Sequence, residues 1–340
     1  MAVTLRDVAR EAGVSPAAAS KVLHGAGHTV RVSPEKAAAI RDVARRLNYR
    51  PNRLARSLRK ASTQTVGLVF ERFGSIAEGP LYYPYLLDGV ASVLFANHYR
   101  LTILPEVDSD DVWGTLADGR LDGVIWCKYD SGRGRVPEGA RLPIPVVTLN
   151  AGSPLKVRGL VSIFCDNESG TRLALEHLAA LGHRRAAFVM ESGEEDTPDA
   201  VARMEAFLRW SGEAGLAAGP EDVLVWDREA SGFAGWWSDR PPHTALLCWN
   251  ERIAAQVLRR AAECGARVPR DLSVVGYDST AYCDAVTPRL TAVRQPIREM
   301  AQAAAQSVLD MIRGEEPPQP QTIWPCTLDV RESTASPARR

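Results

Sequence analysis

Apolar positions recur at helical spacing through the first sixty residues and then give way to short β-rich runs. Leu5, Val8, Ala9 and Ala12 stand at i, i+3, i+4 and i+7, one face of a helix. Thr4 precedes them with Asp7 three residues on, the spacing of a capping box. Gly13 supplies a turn, because glycine reaches left-handed backbone angles without strain. Val14 staples the turn to a small core. Ser15 and Pro16 fit the N-cap and first position of a second helix. In that helix Ala19, Val22 and Leu23 face inward, while Ala17, Ala18, Ser20, Lys21 and His24 face outward. A third helix opens at Ser33-Pro34, buries Ile40, Val43, Ala44 and Leu47, and ends near Asn48-Tyr49, before Pro51.

The stretch 52–60 has helical propensity but is short, and isolated helices below about 12–15 residues are marginal. Its apolar stripe, Leu54, Ala55 and Leu58, has nothing local to pack on. It reads either as a helix that orders on docking, with an apolar wedge for the minor groove, or as a plain linker helix. Beyond it the pattern predicts strands at 66–70, 101–104, 123–127, 146–149, 161–165, 186–190, 223–226, 245–248, 273–277 and 290–293. Helices are predicted at 82–97, 168–181, 199–214, 250–264 and 297–313, and 130–143 reads as a loop. Strands alternating with helices argue one or two doubly wound parallel sheets, which bind ligands beyond the carboxyl ends of their strands.

Charge sharpens this picture. The chain of 340 residues has a formal net charge of zero, yet residues 1–60 hold 13 Lys+Arg against 4 Asp+Glu and the remainder 28 against 37. A basic head on an acidic body suggests that one end meets a polyanion. The six cysteines form no Cys-x-x-Cys pair, so neither a zinc site nor a redox motif is expected. The residues after Met1 form no apolar leader and no run is long and apolar enough to span a bilayer, so a cytoplasmic protein is expected. No heptad repeat follows Ser333, so no coiled coil is expected there.

Two short helices joined by a glycine turn make a helix-turn-helix, whose second helix enters the major groove by its N-terminal half. Small residues at 17, 18 and 20 allow close approach, Lys21 can donate to guanine, and Ala17 or Ala18 can touch a thymine methyl. Arg41, Arg45, Arg46 and Arg50 either touch phosphate or are solvated. The chain has no Gly-x-Gly-x-x-Gly after a strand, no P-loop and no Gly-x-Ser-x-Gly elbow, so no enzyme, cofactor or metal is expected. His24 and His28 read as surface residues, and the acidic run 191–196 as a solvated loop.

Val3-Thr4-Leu5-Arg6-Asp7-Val8-Ala9, Gly13-Val14-Ser15-Pro16-Ala17, Ser20-Lys21-Val22-Leu23 and Tyr49-Arg50-Pro51-Asn52-Arg53-Leu54-Ala55-Arg56-Ser57-Leu58 resemble the head and hinge helix of the lac repressor and purine repressor (LacI/GalR) family. The resemblance implies operator contacts from Pro16, Ala17, Lys21 and Asn52, with Leu58 wedged into the central base step; Thr4, Ser15, Ala18, Ser20, His24, Arg53 and Ala55 are expected to meet the DNA beside them. Lys21 and His24 stand where the family usually has Arg and Asn. Lysine lacks the bidentate fork of arginine, so the base preference there is expected to differ.

The resemblance continues through Asp166-Asn167, Leu181-Gly182-His183, Gly276-Tyr277-Asp278, Arg294-Gln295-Pro296 and Val330-Arg331-Glu332-Ser333. It implies a small all-α head and hinge helix followed by a two-lobed α/β body like the periplasmic sugar-binding proteins. The expected divisions are 1–50 for the head, 51–62 for the hinge, 63–333 for the body and 334–340 for a tail. By the same resemblance an effector is held between the lobes by Phe73, Tyr85, Asn150, Arg203, Trp226, Asn250 and Asp278. Glu251 stands where the family has the acid of an Asn-Asp pair, and Tyr83-Pro84-Tyr85 where it has Asn-Pro-Phe.

Planar hydrogen-bonding groups beside an aromatic face suit vicinal hydroxyls on a sugar ring. The function expected is a homodimeric repressor on double-stranded operator DNA, released by a sugar effector. A nucleobase-type co-repressor is the alternative, and a solute-binding protein without a transcriptional role is the reading from another class.

Overall fold

The computed structural model describes residues 3–24, 30–50, 62–70, 75, 79–104, 112–127, 142–150, 159–315 and 319–338. The chain divides into two compact units, Met1–Thr63 and Gln64–Arg340. The first holds helices α1 (Leu5–Glu11), α2 (Pro16–His24) and α3 (Pro34–Arg46). They close on Val8, Ala9, Ala19, Ile40 and Ala44, with Leu5, Val14, Leu23 and Leu47 packed around them. The predicted capping box forms: Asp7 N donates to Thr4 Oγ1 (3.3 Å), and Thr4 N donates to Asp7 Oδ2 (3.0 Å). Hydrogen bonding to the Thr4 side chain and then to its backbone holds the Asp7 carboxyl below its ordinary range. Asn48 takes the left-handed φ of 51° that ends α3, and Tyr49 N reaches back to the Ala44 carbonyl at 2.8 Å.

The second unit carries two six-stranded sheets. The first contains β1 (Thr65–Phe70), β2 (Arg100–Leu104), β3 (Gly123–Cys127), β4 (Val146–Leu149), β5 (Leu160–Cys165) and β11 (Gln321–Trp324), in the order β11-β5-β4-β3-β1-β2. The second contains β6 (Ala186–Glu191), β7 (Val223–Trp226), β8 (Ala245–Cys248), β9 (Ser273–Asp278), β10 (Thr291–Arg294) and β12 (Thr327–Asp329), in the order β12-β10-β9-β8-β6-β7. Every pairing is parallel except β12 on β10. Parallel strands need covered faces, and β1, β3, β4, β5, β6, β8 and β9 are accordingly apolar along nearly their whole length.

The helices that cover them are α4 (Tyr83–Ala96), α5 (Val112–Leu116), α6 (Asn167–Ala180), α7 (Pro198–Trp210), α8 (Phe233–Ser238), α9 (Glu251–Glu263), α10 (Tyr282–Ala285) and α11 (Ile297–Ile312). The chain crosses from one sheet to the other three times, after β5, after β10 and after β11. Helix α11 packs on α4 and on the first sheet, although β10 before it belongs to the second. Gly89 permits this approach: a Cβ there would lie 2.6 Å from the Arg298 carbonyl oxygen.

All ten expected strands form, with ends within a residue of expectation. Strands β11 and β12 and helices α5, α8 and α10 were not expected. Each is short, and β11 and β12 exist only through pairing with strands far away in sequence. Of the loop read at 130–143, only the last two residues are described.

Candidate functional site

In the head, Gly13 turns at φ +63° and Ser15 caps α2, its Oγ accepting from Ala18 N at 3.2 Å. Thr4, Ser15, Pro16 and Ala17 are exposed, and Lys21 is half-buried. Ser15, Pro16 and Ala17 form the opening of α2, where Pro16 has no N–H, Ala18 N is taken by the cap, and the N–H groups of Ser15 and Ala17 have no intrahelical partner and favour an anion.

Two outward assignments are corrected. Ala18 and Ser20 are buried. Each lies one residue, and so about 100° of helix, from the core residue Ala19. Because α2 packs on both α1 and α3, its covered arc is wider than the one face that the periodicity marks. His24 is half-buried beside Tyr49, with Nε2 3.4 Å from the Tyr49 hydroxyl. Arg41, Arg45, Arg46 and Arg50 are exposed, and Arg46 pairs with Glu11 at 2.8 Å. Asn52, Arg53, Ala55 and Leu58 lie outside the described residues.

In the body, several of the expected residues meet at the carboxyl ends of the strands. Arg203 projects from α7 and is 1% exposed. Its Nε donates to Asn167 Oδ1 (2.9 Å) and its Nη1 to the Trp249 carbonyl (2.5 Å). Asp278 and Asp199 lie 3.6 and 3.7 Å from the guanidinium nitrogens. Burial alone would push the guanidinium pKa down, but Asp278 and Asp199 outweigh it and hold it above its ordinary value. Asp278 ends β9 at a left-handed φ of 87° and accepts from Gln295 Nε2 at 2.5 Å.

Asn250 caps α9, its Oδ1 accepting from Ile253 N at 2.9 Å. Asn150 follows β4 at φ 55°, and its buried Oδ1 has no hydrogen-bond partner. Tyr85 is 39% exposed and accepts from Ala281 N at 3.3 Å, so it joins a helix of the first sheet to a turn of the second. Trp226 packs edge-on against Phe233 and Trp236. Phe73 lies outside the described residues.

Sequence reasoning missed several members of this network. Asp199 stands four residues before Arg203 at a proline-marked helix start, a spacing that signals an ion pair on one helix face. Asn167 and Tyr277 were visible only as parts of motifs. Glu191 belongs to the acidic run whose charge suggests a solvated loop, but it is a buried strand end whose two carboxylate oxygens each accept from Arg252 Nη2 at 3.0 Å. An acidic run does not reveal which of its members the sheet will cover. Tyr82, buried at the start of α4, also leaves its hydroxyl without a partner. Burial is the main reason its pKa is raised, with Cys127, Tyr83, Asp199 and Asp278 adding to it. Among the described residues no His, Cys, Asp or Glu cluster fit for a metal is present, and no helix is long and apolar enough to cross a membrane.

Residues 4–52 match the family described as bacterial regulatory proteins, lacI family, and residues 175–334 match the periplasmic binding protein-like domain. The HTH-type transcriptional repressor PurR of Vibrio vulnificus (strain CMCP6) is 29% identical over 325 residues, covering 92% of this chain and 93% of its own. The lac repressor dimer bound to operator and the anti-inducer ONPF superposes with a TM-score of 0.82 at 25% identity, covering 98% of this chain and all of that one. The HTH-type transcriptional regulator YvdE of Bacillus subtilis (strain 168) is 30% identical over 334 residues, covering 97% of this chain and 99% of its own. A likeness of that extent takes in both units, and the protein therefore belongs to the lacI family of bacterial regulatory proteins, as a DNA-binding transcriptional regulator with an effector domain.

Proposed function

We propose that the protein is a homodimeric repressor that holds a near-palindromic operator through Ser15, Pro16, Ala17 and Lys21. A small neutral effector between its two lobes sets its affinity for that operator. One observation carries the reading: the exposed opening of α2 stands on a close-packed three-helix core in the one part of the chain with a large excess of positive charge. Two-fold protein symmetry calls for a two-fold operator. The segment with Asn52, Arg53, Ala55 and Leu58 supplies the minor-groove contacts in this reading. Thr4 contributes at the start of α1, and His24 at the end of α2.

The cleft supports a polyhydroxylated, sugar-like effector. Arg203 is offset by Asp199 and Asp278, and Arg252 by Glu191, so the described wall offers an anion no uncompensated guanidinium. The unpartnered Asn150 Oδ1 and Tyr82 hydroxyl are suited to ligand hydroxyls. Effector binding changes how the lobes close and thereby operator affinity, by a coupling of about 1–3 kcal/mol. This reading gives the body no catalytic role and places the protein in the cytoplasm with its DNA.

The test is titration of the full-length protein into duplexes from upstream of its own gene, at several salt concentrations, with and without a panel of mono- and disaccharides. Specific, salt-sensitive binding weakened by one sugar is the expected result. Binding that no duplex distinguishes from random sequence would overturn it.

A further inference from the structure

We propose that Glu251 is the positioning residue for Asp278, clamping the 278–283 turn that presents this carboxylate to the cleft, and that the clamp is proton-sensitive. The inference rests on reading that cleft as the effector site. Glu251 is the first residue of α9 and is 1% exposed. Its Oε2 accepts from Thr280 N (2.7 Å) and Cys283 Sγ (3.0 Å), and its Oε1 from Thr280 Oγ1 (2.6 Å). One side chain therefore gathers three donors from a turn in which two successive non-glycine residues, Asp278 and Ser279, hold left-handed φ values of 87° and 54°. Such backbone persists only where the surroundings over-determine it. Helix and strand are close enough for this because Gly276 has no side chain: a Cβ there would lie 3.3 Å from the Glu251 Cα.

The clamp requires acceptors. Once protonated, the carboxyl loses its charge and one of its acceptor oxygens carries a proton. Of the three partners the Thr280 hydroxyl can turn to accept it, but the bonds from Thr280 N and Cys283 Sγ are no longer charge-assisted and weaken. Burial, then the neighbouring Asp278 carboxylate, pushes Glu251 up to about 7, against the pull of Thr280 and Cys283. The groups around it are few. Asp278 faces it from β9 and the Cys283 thiol from α10. Arg331 sits beyond Cys283 and holds Ser279 Oγ at 3.0 Å. Tyr85 of α4 bonds the turn at Ala281 N. Arg252, next to Glu251 on α9, is taken up by Glu191 of β6. A group titrating near 7 passes from roughly one-tenth to roughly nine-tenths ionised between pH 6 and 8. The bonds from Thr280 and Cys283 lower the carboxyl pKa, so a turn that lets go while Glu251 stays buried raises it further. Protonation and release of the turn favour each other, and the turn should be held at the upper end of that range and loosened at the lower.

The test is amide hydrogen exchange, by mass spectrometry, of the ligand-free full-length protein at pH 6 and 8, corrected for intrinsic exchange. In the wild type the peptide spanning 278–283 is expected to be about three- to tenfold better protected at pH 8 than at pH 6. Glu251→Gln should abolish that difference, and Glu251→Ala should lower protection at both values. Thr280→Val keeps the carboxylate and removes one donor, so it should lower protection yet keep the pH difference. Equal protection at the two pH values in the wild type, or a pH difference that survives in Glu251→Gln, would overturn the proposal. If Glu251→Gln folds poorly, the decision falls to the wild-type profile and Thr280→Val. No ligand enters the experiment, so its failure would leave the effector reading untouched.

Discussion

The guanidinium carbon of Arg203 lies 3.7 Å from the centre of the Tyr277 ring. This stacking places a cation on a buried aromatic face while two carboxylates and a backbone carbonyl take up its edges. The arrangement joins α7 to β9 and to the end of β8, the elements that form the second lobe's wall of the cleft.

Removing that cation should therefore damage both the fold and the response to effector. Arg203→Ala leaves Asp199 and Asp278 buried without their shared partner. Breaking a buried pair in this way costs about 3–5 kcal/mol. Arg203→Lys keeps a charge but loses the planar fork. Urea unfolding should rank wild type above Arg203→Lys above Arg203→Ala. A stability change in Arg203→Ala below about 1 kcal/mol would contradict the buried network.

Lys21→Ala should weaken specific operator binding by about 1–3 kcal/mol and leave the stability of the body unchanged. Fluorescence anisotropy on a cognate and a scrambled duplex separates loss of base reading from loss of charge. An equal loss on both duplexes would assign Lys21 to phosphate instead.

Gly170→Ala should disturb the crossing point between the lobes. A Cβ at this position would meet the Tyr277 hydroxyl, and it would lie 3.0 Å from both Cys326 Cβ and Val293 Cγ1. Overpacking of this kind costs about 1–3 kcal/mol. The thermal midpoint should fall, and Gly170→Ser should lower it further.

Acid should weaken the second lobe through His183. This residue is 1% exposed, and its Nδ1 lies 2.7 Å from Thr244 Oγ1. Burial is the main cause that lowers its pKa from 6.5, with the Ala335 carbonyl opposing. A folded pKa below the unfolded one means that the unfolded chain takes up the proton first. The contribution is therefore complete above pH 6.5 and is lost as pH falls below it. Comparing urea midpoints at pH 7.5 and 5.5, His183→Gln should lose less than the wild type. In global unfolding, which returns its carboxyl to water as opening of the 278–283 turn does not, Glu251 works in the opposite sense: its raised pKa costs stability as pH rises from 4.5 through 7, and it does so equally in both proteins.

The three head helices, their caps at Thr4, Ser15 and Ser33 and the ten principal strands follow from spacing, because periodicity and capping are properties of a few consecutive residues. Local pattern cannot say how far a covered arc extends once a helix has two neighbours, and this is why Ala18 and Ser20 are buried. It likewise cannot show that Glu191 closes a strand onto Arg252, or that Glu251 reaches across to Thr280. Those partners lie 61 and 29 residues away and meet only when the parallel sheet has brought its strand ends to one edge. The sequence by itself thus determined the ten principal strands and the main helices, the charged head and the family. The tertiary structure alone decided which polar side chains leave water together, because burial and pairing depend on the whole sheet and not on any one segment of it.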